Sequence, residues 1–188
     1  MISKHSSARP TISSSRRFAP ERSRAIARRP RSDSLAHVQT ILVASDAPTL
    51  RREVEAVISG PDVTVHSVTS GPELIAFVTE EAPDLVIVDM QMGNMGGMAV
   101  TLELRLQESY DALDHIAVLM LLDRRPDVFL ARRSGAEGWL VKPLDPLRLR
   151  RAVLALLDDG TYFDTSFSPV PVLVGTGPEL AAGSEPAG

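Results

Sequence analysis

Cysteine is absent from this 188-residue chain. That excludes disulfides, thiolate nucleophiles and cysteine-ligated metals, and it makes a reducing cytoplasm the natural expectation. No apolar stretch approaches the roughly 20 residues needed to cross a bilayer, so no membrane association is expected. Phosphate-cradling glycine loops are missing as well. "GTGPEL" near the end of the chain has the first two glycines of a dinucleotide fingerprint, but Leu180 stands where the third belongs and no βαβ unit follows. "SSSRRFAPE" pairs two arginines without an apolar segment behind them, so an export signal is not expected either. Lysine is nearly lacking: of 20 basic residues only Lys4 and Lys142 are lysine.

What is present is ordinary in amount and uneven in placement. With 44% hydrophobic and 23% charged residues, the chain can bury the core of one average domain. Residues 1–36 hold nine basic residues against Glu21 and Asp33, a net charge of +7, so the overall −4 leaves −11 for the remainder. The Ser, Arg, Pro and Ala of this arm show no apolar period, and residues 1–37 are expected to be a disordered basic arm, solvated or in nonspecific contact with an acidic surface. Residues 161–188, rich in Pro, Gly and Ala, are expected to be a disordered tail.

Between 38 and 160, short apolar runs alternate with helical patterns. The runs are "TILVA" (40–44), "VTVHSV" (63–68), "DLVIVD" (84–89), "IAVLMLL" (116–122) and "GWLVK" (138–142). The first, third and fourth are almost wholly apolar, as befits parallel strands covered on both faces, while the second alternates like an edge strand. Pro48, Pro72, Pro126 and Pro146 open the helical stretches, and Gly60, Gly135 and Gly160 close three of them. "GGMAVTLELRLQESY" reads closer to period 2 than to 3.6, and only its place in the alternation and its length favour a helix. The order is (βα)5, which implies a doubly wound, flavodoxin-like α/β domain with a parallel five-stranded sheet.

Sheets of this kind bind ligands at the carboxyl ends of their strands. Three of the buried runs end there in an ionisable group: Asp46, Asp89 and Lys142. Two carboxylates held close need a cation between them, and hard oxygen ligands favour Mg²⁺. Carboxylates, Mg²⁺ and an ammonium together suit phosphoryl transfer, which depends mostly on positioning and charge neutralisation. Asp89, ending the central and most apolar strand, is the better candidate for the nucleophile. The competing structural reading has both aspartates capping helices and Lys142 paired with one of them.

"ILVASDAP", "PDLVIVDMQMGNMGG" and "SGAEGWLVKPLDP" together resemble the response-regulator receiver domain of bacterial two-component signalling, over roughly residues 39–158. The resemblance implies that Asp89 accepts a phosphoryl group and that Lys142 contacts the phosphate and carboxylate. It implies a Mg²⁺ site from Asp46, Asp89 and the backbone carbonyl of Gln91, a cis bond before Pro143, and Trp139 as the aromatic residue that changes rotamer on activation. Partners implied are a sensor histidine kinase or phosphotransfer protein upstream and an unidentified protein downstream. No DNA-binding pattern follows Gly160, so binding is expected to run through the face of the fourth helix, fifth strand and fifth helix, presenting Trp139, Arg148, Arg150 and Arg151 and leaving room for a homodimer.

The departures are as informative. Ser45 replaces the first acidic residue and would reach the metal only through water, so weak Mg²⁺ binding is expected. Gly93 and Gly96 replace a proline and an aspartate, which predicts a looser loop after Asp89. The fourth strand lacks the expected hydroxyl: the candidate positions are Met120, Leu121 and Leu122. Weak or absent phospho-switching follows, with a phosphorylation-independent binding module as the alternative. An aspartate-nucleophile phosphatase would need a second aspartate two residues after the first, where Gln91 stands. His66 and His115 are read as ordinary side chains without ligand spacing.

Overall fold

The computed structural model describes residues 38–165. The expected basic arm and the tail beyond 165 lie outside the described residues. Within them each apolar run is a strand and each intervening segment a helix. β1 (Gln39–Ala44), β2 (Val63–Val68), β3 (Leu85–Asp89), β4 (Ala117–Leu122) and β5 (Gly138–Val141) alternate with α1 (Pro48–Ile58), α2 (Gly71–Glu80), α3 (Gly97–Ser109), α4 (Val128–Ser134) and α5 (Pro146–Leu157). A 3-10 turn over Arg125–Asp127 leads into α4. With a short β6 (Tyr162–Phe163), the strands pair in parallel in the order β2-β1-β3-β4-β5-β6, which is the doubly wound arrangement with β2 on one edge.

The sixth strand corrects the five-stranded expectation. β6 (Tyr162–Phe163) pairs in parallel with β5 just where the sequence reads the beginning of a tail. Two residues carry no periodicity to detect. What holds them is tertiary: Phe163 stacks on Trp139, and the Asp164 carboxylate meets Arg148 and the amide of Val141.

The ambiguous segment is α3, and its faces explain the ambiguity. Val100, Thr101, Leu104 and Glu108 are buried at helical spacing, whereas Leu102 and Leu106 are about half exposed. The outward leucines supply the false period of 2. Strand residues alternate between two cores. Leu42, Val86, Val88, Val118, Met120, Leu122, Trp139 and Val141 pack with α2, α3 and α4, while Ile41, Val43, Leu85, Ile87, Leu119, Leu121 and Leu140 pack with α1 and α5. Helix starts follow the prolines, and Asp145 caps α5 by accepting the N–H of Arg148 at 2.8 Å.

At the amino end of β4 a polar network replaces apolar packing. Arg105 donates to Glu108 and to both carboxylate oxygens of Glu137, and His115 lies 3.1 Å from Glu108 and 3.4 Å from Glu137. His115 therefore sits between two carboxylates, which its spacing in sequence does not reveal. Glu108 also accepts the amide of Ile116, and Glu137 that of Val118, so the network ends the sheet with its donors satisfied.

Two predictions follow from these packing assignments. Leu104→Ala is expected to cost about 2–5 kcal/mol of unfolding free energy, and Leu102→Ala under about 0.5 kcal/mol, by urea denaturation. For Glu108, burial pushes the carboxyl pKa up, but the His115 hydrogen bond, the Arg105 charge and the Ile116 amide outweigh it, holding it below the ordinary 4.5. A carboxylate depressed on folding adds stability that is present above its unfolded pKa and lost as pH falls through the folded value. Acid unfolding of the native chain should therefore steepen below about 4.5, and Glu108→Gln should flatten that limb in circular-dichroism titrations.

Candidate functional site

The carboxyl edge of the sheet gathers its charge through register. Ala44 pairs with Val88, so Ser45 and Asp89 come next to one another as β1 and β3 end. Leu122 pairs with Val141, which brings Asp123 and Lys142 together in the same way. Asp89 is 2% exposed and Ser45 1% exposed; Asp46 and Gln91 are exposed at the rim.

Each oxygen of the buried carboxylate has its own donors. Asp89 Oδ1 accepts from Lys142 Nζ at 2.7 Å and from the Gln91 amide at 3.1 Å; Oδ2 accepts from Ser45 Oγ at 2.9 Å. Ser45 Oγ in turn accepts the amide of Ala47, and Arg51 donates to the Ser45 carbonyl. β5 and β3 are separated by β4, roughly 10 Å between backbones, so only a long, flexible cationic side chain spans the gap. Lysine, which occurs at only two positions in the chain, meets that demand at 142. The Lys142–Pro143 peptide is cis.

Lys142 has a second partner. Its ammonium lies 3.2 Å from Asp123 Oδ1, so one cation is shared by two carboxylates. Asp123 is the site residue that the sequence reading missed, although the signal was of the same kind as the others: the run "IAVLMLL" ends in an acid at the same sheet edge.

Of the sequence-derived site residues, Ser45, Asp89, Gln91 and Lys142 converge directly. Asp46 stands on the rim with Oδ2 accepting the Gly93 amide at 2.9 Å. That bond joins the loop after Asp89 to the end of β1. Gly96 and Gly97 act there through close approach, since a Cβ would meet the Met90 carbonyl at 2.8 Å and the Asp89 carbonyl at 2.7 Å respectively. Among the fourth-strand candidates, Leu122 and Met120 share a core with Trp139, whereas Leu121 faces the opposite core, away from Trp139. Trp139, expected on the outer face, is 3% exposed: Phe163 stacks on it at 4.2 Å and the Arg132 guanidinium lies 5.5 Å from its ring. Arg148 is not presented either, being half-buried against Asp164, whereas Arg150 and Arg151 are exposed.

The comparisons agree with this architecture. The family model for the response regulator receiver domain matches residues 41–154, and the chain belongs to that family. It is similar to the nitrate/nitrite response regulator protein NarL of Escherichia coli K12, 34% identical over 116 residues, which cover 61% of this chain and 52% of NarL. The chain thus spans about half the length of that relative. It is also similar to protein PilH of Pseudomonas aeruginosa, 26% identical over 62% of this chain and 96% of PilH. Among solved structures, the chemotaxis response regulator CheY4 of Vibrio cholerae matches with a TM-score of 0.57 and 25% identity, over 63% of this chain and 98% of that one. Receiver domains are signalling modules of two-component systems rather than enzymes in the ordinary sense. Among the described residues no helix is long and apolar enough to cross a membrane.

The ion pair gives a stability prediction. Lys142→Met leaves the Asp89 carboxylate buried with neutral donors alone and is expected to cost about 2–3 kcal/mol at neutral pH. Adding Asp89→Asn to Lys142→Met should recover most of that loss, because no buried charge then remains unpaired. Urea denaturation of the three chains reads both effects.

Proposed function

We propose that Asp89 accepts a phosphoryl group from a histidine kinase or phosphotransfer protein, and that the domain passes the signal on by binding another protein. The observation that carries this reading is the 2.7 Å contact between Lys142 and a carboxylate that is 2% exposed and central at the carboxyl edge. A charge is buried there at a cost no helix cap requires, and its counter-ion is a compact ammonium able to turn toward a phosphoryl oxygen. In the transfer, an Asp89 oxygen forms the bond to phosphorus as the donor's phosphorus–nitrogen bond breaks. Ser45 and the Gln91 amide steady the carboxylate, and Lys142 offsets the added negative charge.

The donor set at the rim suits a hard divalent cation: among the described residues the only hydrogen bond to the Asp46 carboxylate is at Oδ2, and the preceding residue, Ser45, bonds Asp89. Asp46, Asp89 and the Gln91 carbonyl would hold Mg²⁺, which supplies charge neutralisation when bound. With Ser45 in place of a second acid, binding is expected to be weak. Conformational response is expected to be weak as well, because Leu122 offers no hydroxyl to a phosphoryl oxygen. That same observation favours the second reading, a pseudo-receiver that binds its partner without phosphorylation.

Treatment of the full chain with acetyl phosphate and Mg²⁺ is expected to add about 80 Da to the peptide containing Asp89, by mass spectrometry. Asp89→Asn should abolish the adduct, and Ser45→Asp should lower the Mg²⁺ needed for half-maximal labelling by roughly tenfold. A native chain that remains unlabelled while its partner binding is intact would leave the pseudo-receiver as the function.

A further inference from the structure

We infer that the β5 edge is a docking groove for an extended segment carrying an aromatic residue followed by an aspartate, and that residues 161–165 of this chain fill it in cis. The inference concerns an edge of the sheet, not the carboxyl-end cluster, and does not depend on phosphoryl chemistry at Asp89.

Three kinds of contact define the groove. The first is a backbone ladder: Tyr162 donates to the Glu137 carbonyl at 3.2 Å and Asp164 to the Trp139 carbonyl at 3.1 Å. An open strand edge recognises any extended chain in this way. The second is an aromatic seat, where Phe163 lies on the Trp139 indole at 4.2 Å and 26°. The third is a charge lock. The Asp164 side chain is 1% exposed and its Oδ2 takes both the Val141 amide at 3.1 Å and Arg148 at 2.9 Å. Gly138 makes room for the segment, since a Cβ there would come within 2.9 Å of the Tyr162 carbonyl.

These contacts choose chemistry as well as shape. A buried carboxylate with two donors rejects a neutral or basic residue at that position, and the indole rejects a small one. The hold is also short: β6 is two residues long and Phe163 remains 46% exposed. So small a unit opens far more readily than the sheet it joins. A protein partner reaching Trp139 and Arg148 must displace the segment, and the pattern that competes for the groove is the one already in it.

Trp139 is the only tryptophan of the chain, so its indole N–H is an unambiguous resonance. The test uses the full chain, native and with Phe163→Ala plus Asp164→Asn, titrated with a peptide of residues 160–165 to about 5 mM, the range of short-tether effective concentrations. The indole of the double variant is expected to shift saturably, that of the native chain about tenfold less, and neither with a peptide whose phenylalanine is replaced by alanine. Equal shifts in both chains, or no shift in the folded double variant, overturn the inference. If circular dichroism shows the double variant unfolded, Asp164→Asn alone decides: the Val141 amide should exchange about tenfold faster than in the native chain, and an unchanged rate overturns the charge lock and the inference with it.

Discussion

A carboxylate buried to 2% exposure is the constraint on which the carboxyl edge of this domain is built. An isolated carboxylate in that position would be expensive, and its cost is offset by an ammonium, a hydroxyl and an amide, each from a different part of the chain. The ammonium and the hydroxyl reach Asp89 only if β1, β3, β4 and β5 end in the register observed. A one-residue slip of any strand would turn its terminal side chain to the opposite face. The charge cluster thus specifies strand register at the very end of the sheet, where apolar packing has run out. Asp123 adds to this by drawing the same ammonium toward β4, so Lys142 is divided between two carboxylates and committed wholly to neither.

Most of the fold was legible because it is written in strong local signals. Near-continuous apolar runs mark β1, β3 and β4, prolines mark helix starts, and the alternating run at 63–68 marks β2, which is an edge strand in the sheet. The segment that became α3 was legible only through its place in the βα order, because Leu102 and Leu106 are apolar on its exposed face. β6 was not legible at all. Its stability derives from Trp139 and Arg148, which lie more than ten residues away, and nothing in a Tyr-Phe-Asp sequence announces them.

The site shows the same division between what terminates a strand and what packs across the sheet. Asp46, Asp89 and Lys142 stood out as ionisable groups ending apolar runs. Asp123 directly follows the run of β4 and carries the same signal as the other three. Registers that looked equivalent in sequence separate cleanly in three dimensions, since the alternation of side chains sends Leu121 to the α1–α5 core and Leu122 to the Trp139 side. Gly93 and Gly96 were read as freedom, but at Gly96, as at Gly97 beside it, backbone passes so near that a Cβ would collide; Gly93 has no such neighbour.

On one side Trp139 shares a core with Leu122, which precedes Asp123 of the carboxyl-edge cluster; on the other it carries Phe163 of β6. A ligand shifts a two-state equilibrium only by the difference in its interaction with the two states. For a phosphoryl group on Asp89 to reach the outer face, it would have to alter the surroundings of Trp139 through β4. Leu122 packs in the Trp139 core and has no polar atom to exchange between states. On its other side the indole is held by Phe163 and Arg132, contacts that any outward or inward rotation would break. If Asp89 is phosphorylated as proposed, the aliphatic residue would weaken the drive toward a second state, and the β6 contacts would hold the first. Under the proposed phosphoryl chemistry both features would act in the same direction, moving control of the outer face from the carboxyl end of the sheet to whatever competes for its edge.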